Sequence, residues 1–175
     1  LSLQQKLNEP VSLNNSSLLV VNVGAAWESK RWFTSSWVKY LELLRDIPGL
    51  SPLILWGTES EKKQAQELSE KTGTPVVPFL TLKEVLALIE KSRLVVSGDS
   101  FALQAATALQ KPMVALFGPT NPQRNGPFHQ ESRVAFHKLS CSYCYQRTCS
   151  RLDCLKNITP EEIISLTRDL LKNDG

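Results

Sequence analysis

What this sequence lacks narrows it first. Its 175 residues contain no run of eighteen apolar residues, which excludes a membrane-spanning helix. Like charges gather only in short groups such as Lys62-Lys63, and 20 basic against 17 acidic residues leave a formal charge of +3. So small an excess does not mark a nucleic-acid-binding protein, although it leaves room for a local basic cleft that takes a phosphorylated ligand. There is no P-loop G-x4-G-K-[ST], no G-x-G-x-x-G and no nucleophile elbow, so the commonest nucleotide and hydrolase motifs are absent. Internal repeats and low-complexity tracts are missing too. Cysteine is confined to Cys141, Cys144, Cys149 and Cys154, so the rest of the chain must fold on its core alone. With 42 % hydrophobic residues one core of ordinary size is within reach, and one domain is the expectation. His129 and His137 are the two histidines, read as surface or loop residues rather than ligands.

What is present alternates. The opening "LSLQQKLNEPVSLNNSS" begins at Leu1 rather than Met and has neither a basic start with a long apolar core nor a cleavage-like end; residues 1–16 are expected to be a linker and the chain a piece of something longer. "SLLVVNV" is a β-branched apolar run of the kind a strand buried on both faces shows. Thr34, Ser35 and Ser36 offer an N-cap for a helix carrying Trp37, Leu41 and Leu44 up to Pro48-Gly49. "SPLILWG" predicts a second strand, Glu59 to Lys71 a polar helix closed by Gly73, and "TPVVPF" a short third strand. Thr81 and Glu84 form a capping box before Leu82, Val85, Leu86 and Ile89. "RLVVSG" and "KPMVALFG" read as strands around an Ala- and Leu-rich helix from Phe101 to Leu109, "RVAFHK" as a last strand, and Thr159-Pro160-Glu161-Glu162 as the start of a final helix. Such alternation predicts an open, doubly wound, mostly parallel α/β sheet of the Rossmann-like kind, whose ligands sit beyond the carboxyl ends of the strands.

Three stretches of unusual composition fall on that edge. In "GAAWESKRW", Lys30 and Arg31 stand between two tryptophans and could neutralise a phosphate, or could be a solvated pair lying over the rings. In "SGDSFAL", Asp99 or Ser100 is placed to cap the next helix, which by itself accounts for either residue. The helix end and the Ser100 hydroxyl could instead hold a phosphate, with Asp99 accepting a ligand hydroxyl or positioning Lys30. "FGPTNP" is a turn that leaves amides and a hydroxyl near the same edge.

The order of "GAAWESKRW", "LWGTESE", "DSFALQAATAL", "ALFGPTNP", a C-x2-C-x4-C-x4-C segment and "ITPEEI" resembles the C-terminal domain of the lipopolysaccharide heptosyltransferase family, from about Leu18 onward. The resemblance implies one half of a glycosyltransferase B fold, in which the second domain binds a nucleotide-diphosphate sugar, typically ADP-heptose. The first domain would supply the acceptor surface and the catalytic base, so no catalytic residue is expected here. It implies that Lys30 contacts the donor diphosphate and Glu61 the nucleoside ribose. Asp99 and Ser100 would lie beside the donor sugar and phosphates, and Gly118, Pro119 and Thr120 would form the neighbouring turn. A glycolipid acceptor, no nucleic acid, no cofactor, and a bacterial cytoplasmic location, peripheral at the inner face of the membrane, are further implications.

Two residues depart from the family pattern: Phe101 stands where the family has glycine, and Gln104 where it has histidine. Phe101 would narrow the pocket, and Gln104 can hydrogen-bond but carry no charge. Ala25 and Ala26 replace residues that often bear hydroxyls. A degenerate, non-catalytic module acting in protein interaction or assembly is therefore a rival reading, and an unrelated nucleotide-binding domain of the same fold a second. For the four cysteines, reduced thiols or adventitious disulfides are favoured over a structural zinc site, because the later spacings are not a second C-x2-C.

Overall fold

The computed structural model describes residues 17–172; the linker expected over residues 1–16 lies outside the described residues. Five strands, β1 (Leu18–Asn22), β2 (Ser51–Leu55), β3 (Leu94–Gly98), β4 (Met113–Leu116) and β5 (Ser132–Ala135), form one parallel sheet in the order β2-β1-β3-β4-β5. Every residue of β1, β3 and β4 is buried, so both faces of the sheet are covered. The covering helices are α1 (Thr34–Leu44), α2 (Glu59–Thr72), α3 (Leu82–Lys91), α4 (Phe101–Ala108) and α7 (Pro160–Lys172). Two single turns, α5 (Pro122–Asn125) and α6 (Asp153–Lys156), and a 3-10 turn at Glu28–Lys30 complete the structure. α1 packs against α2 and α7, and α3 against α4, which separates the helices into two layers.

The expected caps divide. Capping boxes are present at Thr81 with Glu84 and also at Thr58 with Glu61, and Thr159 accepts the Glu162 amide at 3.1 Å. Gly73, at φ 68°, closes α2 in the left-handed conformation that favours glycine. Thr34, Ser35 and Ser36, by contrast, lie inside the first turn of α1. The N-cap is Phe33 without a side-chain bond, and Thr34 instead accepts from Gln64 on α2 at 3.2 Å. The strand expected at "TPVVPF" is reduced to one bridge between Val76 and Ile54. Pro75 and Pro78 have no N–H to extend a ladder, so pairing stops after the bonds from Ile54 to Pro75 and from Val77 to Ile54.

The core runs from the central strands to the α1–α7 seam, where Trp37 packs edge-on to Trp32 at 4.9 Å and Tyr40 meets Thr167 on α7 at 3.1 Å. Complete burial pushes the Tyr40 phenol well above its ordinary pKa. The chain leaves β1 to build β2 on one side, then returns to place β3 on the other. The topological switch point is therefore the crevice between the carboxyl ends of β1 and β3.

Candidate functional site

Lys30 and Asp99 meet across that crevice. The 3-10 turn after β1 presents Lys30, the end of β3 presents Asp99, and Lys30 Nζ lies 2.8 Å from Asp99 Oδ2. Both side chains are nearly enclosed, 12 % and 9 % exposed, which rules out the solvated Lys-Arg pair. Lys30 also sits over the Trp27 ring, 4.1 Å from its centroid. Thr120 Oγ1, fully buried, donates to Asp99 Oδ2 at 2.8 Å, and Asn125 Nδ2 donates to the same oxygen at 3.1 Å. Three donors thus hold the carboxylate in place, and none of them belongs to the first turn of α4.

The capping explanation for Asp99 and Ser100 is overturned by this geometry. Ser100 occupies the N-cap position of α4 but makes no side-chain cap bond. Its hydroxyl is drawn backward into a polar cluster beneath the helix end: Asn22 Nδ2 lies 3.0 Å from Ser100 Oγ, and Ser97 Oγ lies 2.9 Å from it. The first turn of α4, which directly follows Asp99 and Ser100, is therefore left without a side-chain cap.

Glu61 reaches the same edge, one strand over. Its Oε2 accepts from the amides of Gly57 at 2.8 Å and Thr58 at 3.0 Å, while Oε1 lies 3.6 Å from Arg31. The carboxyl fills the space beside Gly24, where any Cβ would collide with it. Glu61 is thus already engaged in fastening the ends of β1 and β2 together. Gly118 is similarly constrained, because a Cβ there would press on Leu155 and on the carbonyl of Ser29. Pro119 accepts the Tyr145 amide through its carbonyl at 3.1 Å. Gln104, exposed, ties α4 to α5 by donating to the carbonyl of Asn125 at 2.9 Å, the residue whose side chain donates to Asp99. Phe101, the first residue of α4, is 48 % exposed rather than packed into the core.

Sequence reasoning missed Asn22 and Asn125. Asn22 could have been found, as the lone polar residue of "LLVVN", whereas Asn125 stands in a turn of ordinary composition. The histidines lie in loops as expected. His137 pairs with Glu162 at 2.8 Å, and His129 is half-buried, which lowers its pKa. A broader groove of about 540 Å³ between Leu43 and α7 includes none of the residues at the strand ends.

Topology and pair together define the class: a Rossmann-like α/β domain with a nearly enclosed Lys–Asp ion pair at its switch point. Solved structures narrow it to the glycosyltransferase B type. ADP-heptose LPS heptosyltransferase II of E. coli superposes with a TM-score of 0.79 at 21 % identity, over 98 % of this chain and 51 % of that one. E. coli heptosyltransferase WaaC with ADP gives 0.74 at 21 % identity, over 96 % and 48 %. The family model of glycosyltransferase family 9 (heptosyltransferase) matches residues 1–155, and the chain belongs to that family. Lipooligosaccharide heptosyltransferase 2 of Campylobacter jejuni is 29 % identical over 179 residues, covering 96 % of this chain and 56 % of that protein. Lipopolysaccharide heptosyltransferase 1 of Pseudomonas aeruginosa is 29 % identical over 133 residues, covering 75 % and 37 %. The chain spans between about a third and just over half the length of these two relatives.

Proposed function

We propose that this chain is the donor-binding half of a glycosyltransferase that moves a heptose-like sugar from a nucleoside diphosphate, ADP-heptose or a close analogue, to a lipopolysaccharide core acceptor. The observation that carries the reading is the Lys30–Asp99 pair at the switch point, beside an uncapped helix N-terminus. An ammonium has three N–H donors. One faces Asp99, which leaves two for the diphosphate, and the α4 amides add fixed dipoles of the same sign. Together they stabilise the negative charge that develops on the leaving nucleoside diphosphate as the glycosidic bond breaks. Asp99 serves as an orienting partner for Lys30 and as an acceptor for a sugar hydroxyl, with Thr120 and Asn125 fixing its angle. Glu61, only 6 % exposed, acts by holding Gly57, Thr58 and Arg31 in place beneath the nucleoside.

Transfer also requires a base for the acceptor hydroxyl, and the proposal places it on a preceding domain that faces this one across a cleft. The glycolipid acceptor would bind there, at the cytoplasmic face of the inner membrane. Among the described residues no helix is long and apolar enough to cross a membrane. Phe101 at the mouth of the crevice supports a second reading, a degenerate module that no longer binds donor. Calorimetric titration with ADP, UDP, GDP and ADP-heptose separates the two. Binding of a diphosphate nucleotide supports the donor site, and a folded protein that binds none of the four leaves the degenerate module.

A further inference from the structure

Residues 136–152 form a seventeen-residue segment with no helix or strand and no buried residue. So long an irregular stretch on a compact domain needs something to hold it. Tyr143, Tyr145 and Leu152 in it have φ of 65°, 52° and 49°, a left-handed conformation that non-glycine residues adopt only where their surroundings impose it. Apolar packing holds only part of it: Phe136 and Leu152 lie against the core and Tyr143 stacks on Phe136 at 5.6 Å, while Tyr145 and the stretch that carries Cys144 and Cys149 have no such support. The four cysteines offer another means. Cys141, Cys144, Cys149 and Cys154 line one small cavity of about 30 Å³, bordered also by Gly118 and Arg151, and none is in a disulfide. A space of that size suits a single ion or water. Among the described residues no three His, Cys, Asp or Glu side chains are close enough to hold a metal as they stand, so the sulfurs surround the cavity without closing on it.

We infer that Cys141, Cys144, Cys149 and Cys154 form a tetrahedral structural site for one thiophilic divalent cation of the zinc class, which pins this segment to the domain. The later gaps of four residues are not a second C-x2-C, but the fold brings all four cysteines to the wall of the same cavity, which spacing alone does not show. On binding, each thiol gives its proton to solvent as its sulfur bonds the cation, and no electron moves. Four ligands leave no open coordination position, so the role is structural. The resulting centre carries a charge of minus two, which Arg151 on the cavity wall offsets, with Asp153 beside it as its ion-pair partner at 3.7 Å. Cys149 Sγ already accepts the Leu152 amide at 3.5 Å, an N–H···S contact that orients a ligating sulfur. The segment in turn grips the candidate site. Ser29, next to Lys30, donates its amide to the Arg147 carbonyl at 3.1 Å and its hydroxyl to Gln146, and Tyr145 donates its amide to Pro119 at 3.1 Å. The inference stands apart from the donor-binding reading, and its test does not depend on nucleotide.

The whole protein should be purified without chelator, analysed for metals, then stripped, reduced and titrated with Co²⁺. One equivalent of Co²⁺ should bind with the visible bands of a tetrahedral thiolate complex, and zinc or iron should be found near one per chain before stripping. Cys144→Ser and Cys149→Ser should each lose those bands while retaining the parent's circular dichroism. If a serine variant does not fold, thiol counting on the parent decides instead, with four reactive thiols expected in the stripped protein and none in the loaded one. A folded, reduced protein that takes up no Co²⁺ overturns the site, as do four thiols that react equally with and without the cation.

Discussion

Replacing Lys30 by alanine should cost stability and nucleotide affinity together, and the two losses can be measured apart. Nζ lies 2.8 Å from Asp99 Oδ2 and both side chains are nearly enclosed. At an effective dielectric of about 20 the bare attraction at that distance is about 6 kcal/mol, most of which offsets the cost of taking both ions out of water. Truncating one member of a buried pair strands the other charge and costs about 3–5 kcal/mol. Asp99 keeps Thr120 and Asn125, so the lower end applies, about 3 kcal/mol. At about 2–4 °C per kcal/mol for a domain of this size, Tm should fall by roughly 6–12 °C. A charge-assisted contact to phosphate is worth about 1.5–3 kcal/mol, which predicts a roughly 10- to 100-fold loss in ADP affinity. Calorimetry well below the variant's Tm, with Lys30→Arg as the charge-retaining control, reads the second quantity without interference from the first. Undiminished ADP binding by a destabilised Lys30→Ala protein would refute the phosphate role and leave Lys30 as a structural partner of Asp99. An unchanged Tm would refute the buried pair itself.

Thr120→Val keeps the shape of the side chain and removes the bond to Asp99, so urea unfolding should show a loss of about 1–3 kcal/mol. Gly24→Ala drives a methyl group into the Glu61 carboxyl and should destabilise by about 1–3 kcal/mol, less in a Glu61→Ala background where the obstacle is gone; equal costs in both backgrounds would place the strain elsewhere. Phe101→Gly removes the exposed ring at the first position of α4. It should raise ADP affinity severalfold despite a helix cost of about 1 kcal/mol, and a fall in affinity would show that the ring contacts the nucleotide.

Much of the fold was legible because its signals are local. Four strands of the sheet appear in the sequence as short apolar runs and the fifth, SRVA, as the start of a mixed one, while Thr81, Gly73 and Thr159 mark helix ends through bonds made within a few residues. The misreadings have two causes, distant partners and local prolines. Thr34 to Ser36 look like caps in isolation, but a partner on another helix claims Thr34. "TPVVPF" has the composition of a strand, but two prolines deny it a ladder. Asp99 and Ser100 look like helix caps, and both are diverted by residues far away in the chain, Lys30 and Thr120 for one and Asn22 for the other.

The site shows the same division more sharply. Residue types and order were enough to place Lys30, Asp99 and the turn at Gly118 to Thr120 on the carboxyl edge of a parallel sheet, because alternation and motif order are properties of the chain read in line. That Asp99 takes its bonds from Lys30, Thr120 and Asn125 rather than from α4, and that the Glu61 carboxyl fills the space beside Gly24, are facts of three-dimensional proximity. Which of several donors a buried carboxylate meets depends on how strands far apart in sequence are brought side by side. Burial then sets how strongly each such contact holds, by removing the water that would otherwise compete for it.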